Sequence, residues 1–272
     1  MSNLHQLVLQ PEEYELIDCV FKPTAKAGLM ADFLYNKDKI PTDDDIKSAS
    51  YKIGYYKDKL TINRLKEFRE KAEPYWRDRF VFESKNPNSD KIRIYTNKKS
   101  SDILKSCLNE IYQNDDIQKL LKPEGLLEPI YTANETAILL DIEVDIPNYG
   151  SCIYKFKAKV DNFTIDKENN LLTVNDLKST SRLASEFDPT YYSYERELAI
   201  YAMLLKLCAK KFFNLDNPEI KGNFLVSSII PNYNTLVYPM TNKLFKSGIN
   251  EFKYLLKTVA YLNIVKHYNF KE

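Results

Sequence analysis

The sequence predicts an α/β fold: a central mixed β-sheet flanked by helices, with a helical N-terminal extension over residues 1–100 packed on a core of residues 101–272. Three observations carry this. Strand-like runs cluster between residues 135 and 180. A long amphipathic pattern follows in YERELAIYAMLLKLCAKKFF, and two further strand-like runs precede a terminal helix. The first hundred residues show mostly helical periodicity instead.

In the extension, PTDDDIKSASYKIGYY offers Thr42 or Asp43 as a helix cap. TINRLKEFREKAEPYWRDRF spaces Ile62, Leu65 and Phe68 at helical intervals, and Pro74 marks a break or a new start. ESKNPNSDK reads as a loop and IRIYT as a short strand. From Ser100 the pattern tightens. SSDILKSCLNEIYQNDDIQKLLK reads as one helix, capped by Ser100 or Ser101, with Ile103, Leu104, Cys107, Leu108 and Ile111 on one face. ETAILLDIEVDI and SCIYKFKAKVDNF are two strands joined by the turn PNYG, and Tyr154, Phe156, Ala158 and Val160 alternate with Lys155, Lys157 and Lys159. LLTVNDLKST is a third strand. The order is therefore helix, three strands, helix, two strands, helix.

Composition narrows the classes. The 272 residues carry a net charge of +1, which argues against wholesale coating of nucleic acid but leaves room for a local basic groove. The four cysteines, Cys19, Cys107, Cys152 and Cys208, are far apart, and the only histidines are His5 and His267. No structural zinc site is expected from such spacing, and buried free thiols in a reducing compartment are. The N-terminus lacks a basic start with a long apolar run, and no stretch is long enough to span a bilayer, so a cytoplasmic protein without membrane partners is expected.

The chemistry concentrates at Asp161 and at Asp176-Leu177-Lys178. Each group is placed by the sequence at the end of a strand, with the polar segment FTIDKENN as a turn between them. Residues i and i+2 of a strand share a face, so Asp176 and Lys178 project together while Leu177 points into the core. Antiparallel strands would bring the two carboxylates to neighbouring positions. Mg²⁺ or Mn²⁺ needs only one or two carboxylates besides water and substrate phosphate, and the Leu177 carbonyl would add an oxygen. Lys178 would hold the attacking water or offset charge growing on a phosphate. Elsewhere, the lysines of KFKAK would track a DNA backbone or guard a solvent-facing sheet. Tyr75, Trp76 and Arg77 would stack on a base, or serve as core and core edge.

These residues and their order resemble the PD-(D/E)XK nuclease superfamily, with its restriction-endonuclease-like core. Within it the chain looks most like the branch of the RecB nuclease domain, the Cas4 proteins and the RecE-type recombination exonucleases. The resemblance covers residues 101–240 or so. It implies that Asp161 and Asp176, with Leu177, hold the metal and that Lys178 is catalytic. It further implies that Glu197 and Tyr201, one turn apart in YERELAIYAMLL, take the places of a Gln and a Tyr and orient DNA or the lysine. The histidine common in the helix before the first strand is missing there, and Glu110 is the substitute in that helix. Glu135 in ANETAILL matches an acid near the start of the first strand. Cysteines that hold an iron–sulfur cluster in some relatives are absent, so none is expected. The implied activity is Mg²⁺- or Mn²⁺-dependent exonucleolytic hydrolysis of DNA, in recombination or repair of phage or mobile-element DNA within the host cytoplasm. Implied partners are DNA, a single-strand annealing or replication protein, and further copies of the chain. The alternatives are an endonuclease on the same fold and a catalytically silent DNA-binding or assembly module.

Overall fold

The computed structural model describes residues 3–55, 60–122 and 130–269, without the side chains of 265–269 and so without that of His267. In chain order the elements are α1 (Asn3–Leu9), β1 (Tyr14–Asp18), α2 (Ala25–Leu34), α3 (Asp43–Ile53), α4 (Ile62–Lys85), β2 (Ile92–Thr96), α5 (Lys98–Gln113), α6 (Asp115–Leu121), β3 (Ile130–Ile146), β4 (Gly150–Asp166), β5 (Leu171–Thr180), α7 (Tyr194–Phe213), β6 (Glu219–Ser228), β7 (Thr235–Pro239) and α8 (Asn242–Asn269). The chain forms two compact units, residues 11–105 and residues 1–10 with 106–272. The first ten residues thus belong with the larger unit, whereas the sequence groups them with the extension. Among the described residues no helix is long and apolar enough to cross a membrane.

The smaller unit packs α2, α3 and α4 with a parallel pair, β1 and β2. Thr42 caps α3 in a reciprocal capping box with Asp45. Pro74 does not break α4, contrary to the sequence expectation. A proline removes one backbone bond, but Leu65, Phe68, Ala72, Tyr75 and Trp76 form one continuous buried face across it. Trp76 Nε1 also donates to the Ala31 carbonyl at 2.8 Å. Tyr75 is fully buried and Trp76 nearly so, which corrects the base-stacking reading of this pair in favour of core. Glu83 anchors the unit's polar interior, accepting from Arg79 Nε at 2.9 Å, Tyr95 Oη at 2.9 Å and Tyr35 Oη at 3.2 Å. Burial works to raise the Glu83 pKa, but Arg79, Tyr95 and Lys37 outweigh it and hold the carboxyl below its ordinary value.

The larger unit is built on a five-stranded mixed sheet in the order β3-β4-β5-β6-β7, in which only β5 and β6 run parallel. This is the α/β class with a mixed sheet flanked by helices. The helical run from Ser100 is two helices rather than one. Asn114 interrupts it and caps α6, accepting from Ile117 N at 3.1 Å. Neither Ser100 nor Ser101 caps α5, which begins at Lys98, and Asn97 Oδ1 takes the Ser100 N–H at 3.0 Å. One apolar core joins Phe163, Ile165, Leu172 and Val174 of the sheet to Leu198 and Ala202 of α7. Helix α8 crosses α7 closely at Gly248, where a Cβ would stand 2.6 Å from the Glu195 carbonyl oxygen and 2.9 Å from Ala199 Cβ.

A row of asparagines crosses four strands in register: Asn134, Asn162, Asn175 and Asn223. Asn162 Nδ2 donates to Asn134 Oδ1 at 2.7 Å, Asn175 Nδ2 to Asn162 Oδ1 at 2.6 Å, and Asn223 Nδ2 to Asn175 Oδ1 at 2.9 Å. At the near end Asn134 Nδ2 donates to the Leu9 carbonyl at 2.8 Å and so ties α1 to the sheet. Asn162 and Asn175 are fully buried, so the ladder fixes strand register through satisfied polar groups. Asn162→Ala leaves both neighbouring amides short of a partner and is expected to cost about 1–3 kcal/mol. Thermal unfolding checks this, and an unchanged Tm would refute the ladder's role.

Candidate active site

The register explains why the acidic residues meet. β3 and β4 pair Asn134 with Asn162 and Thr136 with Val160, which sets Glu135 opposite Asp161. β4 and β5 pair from Asp166/Leu171 only as far as Asn162/Asn175. The next step would pair Asp161 with Asp176, and there the strands part. Glu135, Asp161 and Asp176 thus occupy one row across three strands, at a fork in the sheet. Glu135 adopts φ 50°, a left-handed conformation uncommon for residues other than glycine, asparagine and aspartate. Asp161 and Asp176 are not at strand ends, as the sequence suggests. β4 runs on to Asp166, where Phe163 and Ile165 extend its buried face beyond Asp161, and β5 runs on to Thr180, paired with β6 as far as Ser228.

Asp161 Oδ2 accepts from the Leu177 backbone N–H at 2.9 Å. Lys178 Nζ stands 2.8 Å from Asp176 Oδ2 and 2.9 Å from Glu197 Oε2. Glu197 Oε1 accepts from Tyr201 Oη at 2.8 Å, so the carboxylate bridges lysine and tyrosine. The i,i+4 spacing on α7 places both on the turn that faces β5. Tyr194 closes the other side, its ring centroid 4.6 Å from Lys178 Nζ. A cleft of about 530 Å³ opens onto the group, with Lys157 and Lys159 on its wall.

Burial pushes Asp176 well above the ordinary carboxylate range; the Lys178 charge opposes this, while Asp161 and Glu197 add to it. Burial works to lower Lys178, but Asp176 and Glu197 outweigh it and hold the amine cationic, above its ordinary value. Glu197 is pulled down despite burial by Lys178 and Tyr201 and stays ionised.

One residue of the group is absent from the sequence-derived set. His5, on α1, places Nδ1 3.8 Å from Asp161 Oδ2 and lies beside the Leu177 backbone. Burial lowers its pKa, more than Asp161 raises it, so the imidazole is neutral. Leu4, Leu7, Val8 and Leu9 are buried and seat the helix. The Tyr112 hydroxyl donates to the Leu7 carbonyl at 3.3 Å. The sequence signal was slight: one of two histidines, far from the motif and on a seven-residue helix.

The remaining acids part company. Glu135 is buried, pairs with Lys159 through Oε2, and leaves Oε1 without a hydrogen-bond partner. Glu110 lies half-buried on α5 and is not among the residues lining the cleft.

The residues suit a divalent cation in an open half-site. Among the described residues no three His, Cys, Asp or Glu side chains form a group that could hold a metal ion by themselves. Mg²⁺, however, takes most of its shell from water and phosphate. The unpartnered Glu135 oxygen and the burial of Asp161 and Asp176 side by side both call for added positive charge.

No family model matches the sequence, and no curated protein matches it. Among solved structures, a crystal structure described as a "Putative exonuclease" from Eubacterium rectale is 12% identical, covering 97% of this chain and 86% of that one, with a TM-score of 0.43. A second, described as SSO0001, is 14% identical, covering 66% of this chain and 70% of that one, with a TM-score of 0.27.

Proposed function

We propose that the chain is a metal-dependent DNA nuclease of the PD-(D/E)XK type, in the branch of the RecB and RecE-type enzymes. The observation that supports it most is the row of Glu135, Asp161 and Asp176 where the strands part, beside a lysine held by Glu197, which Tyr201 holds in turn. Asp161, Asp176 and the Leu177 carbonyl would hold Mg²⁺ or Mn²⁺, with His5 beside Asp161. When bound there, the ion supplies Lewis-acid charge at the phosphate and a more acidic water. Lys178, kept cationic, donates to the attacking water or to a phosphate oxygen as negative charge grows on it. Glu197 holds the lysine in that direction and Tyr201 holds Glu197. Lys157 and Lys159 on the cleft wall suit the flanking backbone.

In this reading the enzyme is an exonuclease serving recombination or repair of phage or mobile-element DNA in the host cytoplasm. It would work with a single-strand annealing or replication protein, as a homo-oligomer around its substrate. Labelled linear duplex should be degraded in Mg²⁺ or Mn²⁺ and left intact in chelator, and Asp176→Asn should reduce cleavage to background. A closed circular duplex should survive. Its cleavage would instead identify an endonuclease, and an inert wild-type protein without a stoichiometric Mn²⁺ site by calorimetry would refute catalysis altogether.

A further inference from the structure

We infer that the pocket beyond Tyr194 is a stacking subsite for an unpaired nucleobase at a DNA strand end, a substrate feature that rests on the nuclease reading above. The pocket has a volume of about 280 Å³ and is lined by residues that directly follow Lys178 in β5, Ser179 and Thr180, and by Arg182, Tyr191, Tyr192 and Tyr194. Tyr194 is shared ground, because its ring also lies against Lys178 Nζ. A strand whose phosphate reaches the lysine therefore has its neighbouring base within reach of this pocket.

Two features single out a base as the occupant. Tyr191 and Tyr192 are 66% and 67% exposed, an unusual outlay of aromatic surface for a turn whose Phe187 and Tyr194 are packed inward. Their rings meet edge to face at 4.5 Å, and Tyr192 lies 5.4 Å from Tyr194, giving a continuous aromatic wall. Nucleobases stack on such walls whatever their sequence, since every base offers a π-face.

Charge sets the direction of entry. The Arg182 guanidinium stands 5.7 Å from the Tyr191 ring centroid and makes no ion pair among the described residues, so it can take a phosphate at the rim. Glu186 and Asp188 also line the pocket. Asp188 Oδ1 already accepts from Thr190 N and Thr190 Oγ1, at 2.9 and 2.8 Å. These carboxylates repel phosphate but accept from the N–H groups on a base edge. The base thus faces inward and the backbone outward, between Arg182 and Lys178. Such a subsite favours frayed or single-stranded ends over closed duplex, because a paired base cannot enter.

The test uses the full chain in chelator, so that binding is read without cleavage. A short single strand carrying 2-aminopurine at its terminal nucleotide should be quenched on binding. Tyr191→Ala with Tyr192→Ala should remove the quench and weaken binding about tenfold or more. The paired Tyr→Phe variant should keep both, and a strand with an abasic terminus should bind wild type and the alanine variant alike. Circular dichroism of each variant establishes its fold. No quench with wild type, or a quench that survives the alanine pair, overturns the subsite. Metal-dependent cleavage of linear duplex is scored separately. A wild type that cleaves but does not quench refutes the subsite alone, and one that quenches but never cleaves refutes the nuclease reading alone.

Discussion

Lys178→Ala should lower DNA cleavage by about 10²–10³-fold or more, the cost of removing one preorganised donor to developing charge. The lysine is the cation that stands against both Asp176 and Glu197, at 2.8 and 2.9 Å. Its loss removes the donor and leaves Glu197 held by Tyr201 alone. Removing one partner of a buried pair ordinarily costs about 3–5 kcal/mol. Here the loss should be smaller, because burial already holds the Asp176 carboxyl towards its neutral form. The fold should therefore survive, with a modest fall in Tm. Lys178→Arg keeps the charge but replaces a compact ammonium by a planar fork, and it should rescue little of the activity. Cleavage rates at saturating Mn²⁺, read beside thermal unfolding, separate the two effects. Robust hydrolysis by Lys178→Ala would remove the catalytic assignment.

His5→Ala should shift the metal dependence, with about 10–100-fold more Mn²⁺ needed for half-maximal cleavage, the loss typical when a metal site's support is removed. A neutral imidazole beside Asp161 and the Leu177 backbone is placed either to ligate the ion or to orient the groups that do. Deleting residues 1–10 should be more severe, because it also strips Leu4, Leu7 and Val8 from the core and frees Asn134 from the Leu9 carbonyl. Metal titrations of His5→Ala, and of His5→Phe as a filling control, check this. An unchanged metal requirement in both would leave His5 a packing residue.

Much of the site was legible because its logic is local. Alternation put Asp176 and Lys178 on one strand face, and the i,i+4 rule put Glu197 and Tyr201 on one helix face. Both periodicities follow from backbone geometry that a sequence carries with it. The strand, turn, strand pattern likewise placed β3 and β4 around PNYG. Reading was weakest where a single residue competes with its surroundings. Pro74 suggested a break, yet a buried face on both sides carries the helix through it. Asn114 looked like a helix residue, yet its side chain captures the Ile117 backbone N–H and starts a new helix.

The sequence alone determined the α/β class, the placing of Asp161 and Asp176-Leu177-Lys178 on neighbouring strands, and the helix that carries Glu197 and Tyr201 one turn apart. Those depend on strand and helix periods and on neighbours close in the chain. Tertiary structure alone decided that β4 and β5 part between Asn162 and Asp161, that Glu135 stands in the row beside Asp161 although neither it nor Glu110 lines the cleft, and that His5 joins the group. These depend on register and on contacts between residues more than a hundred positions apart. No periodicity records such contacts. The packing of α1 and the asparagine ladder that ties it to the sheet create them.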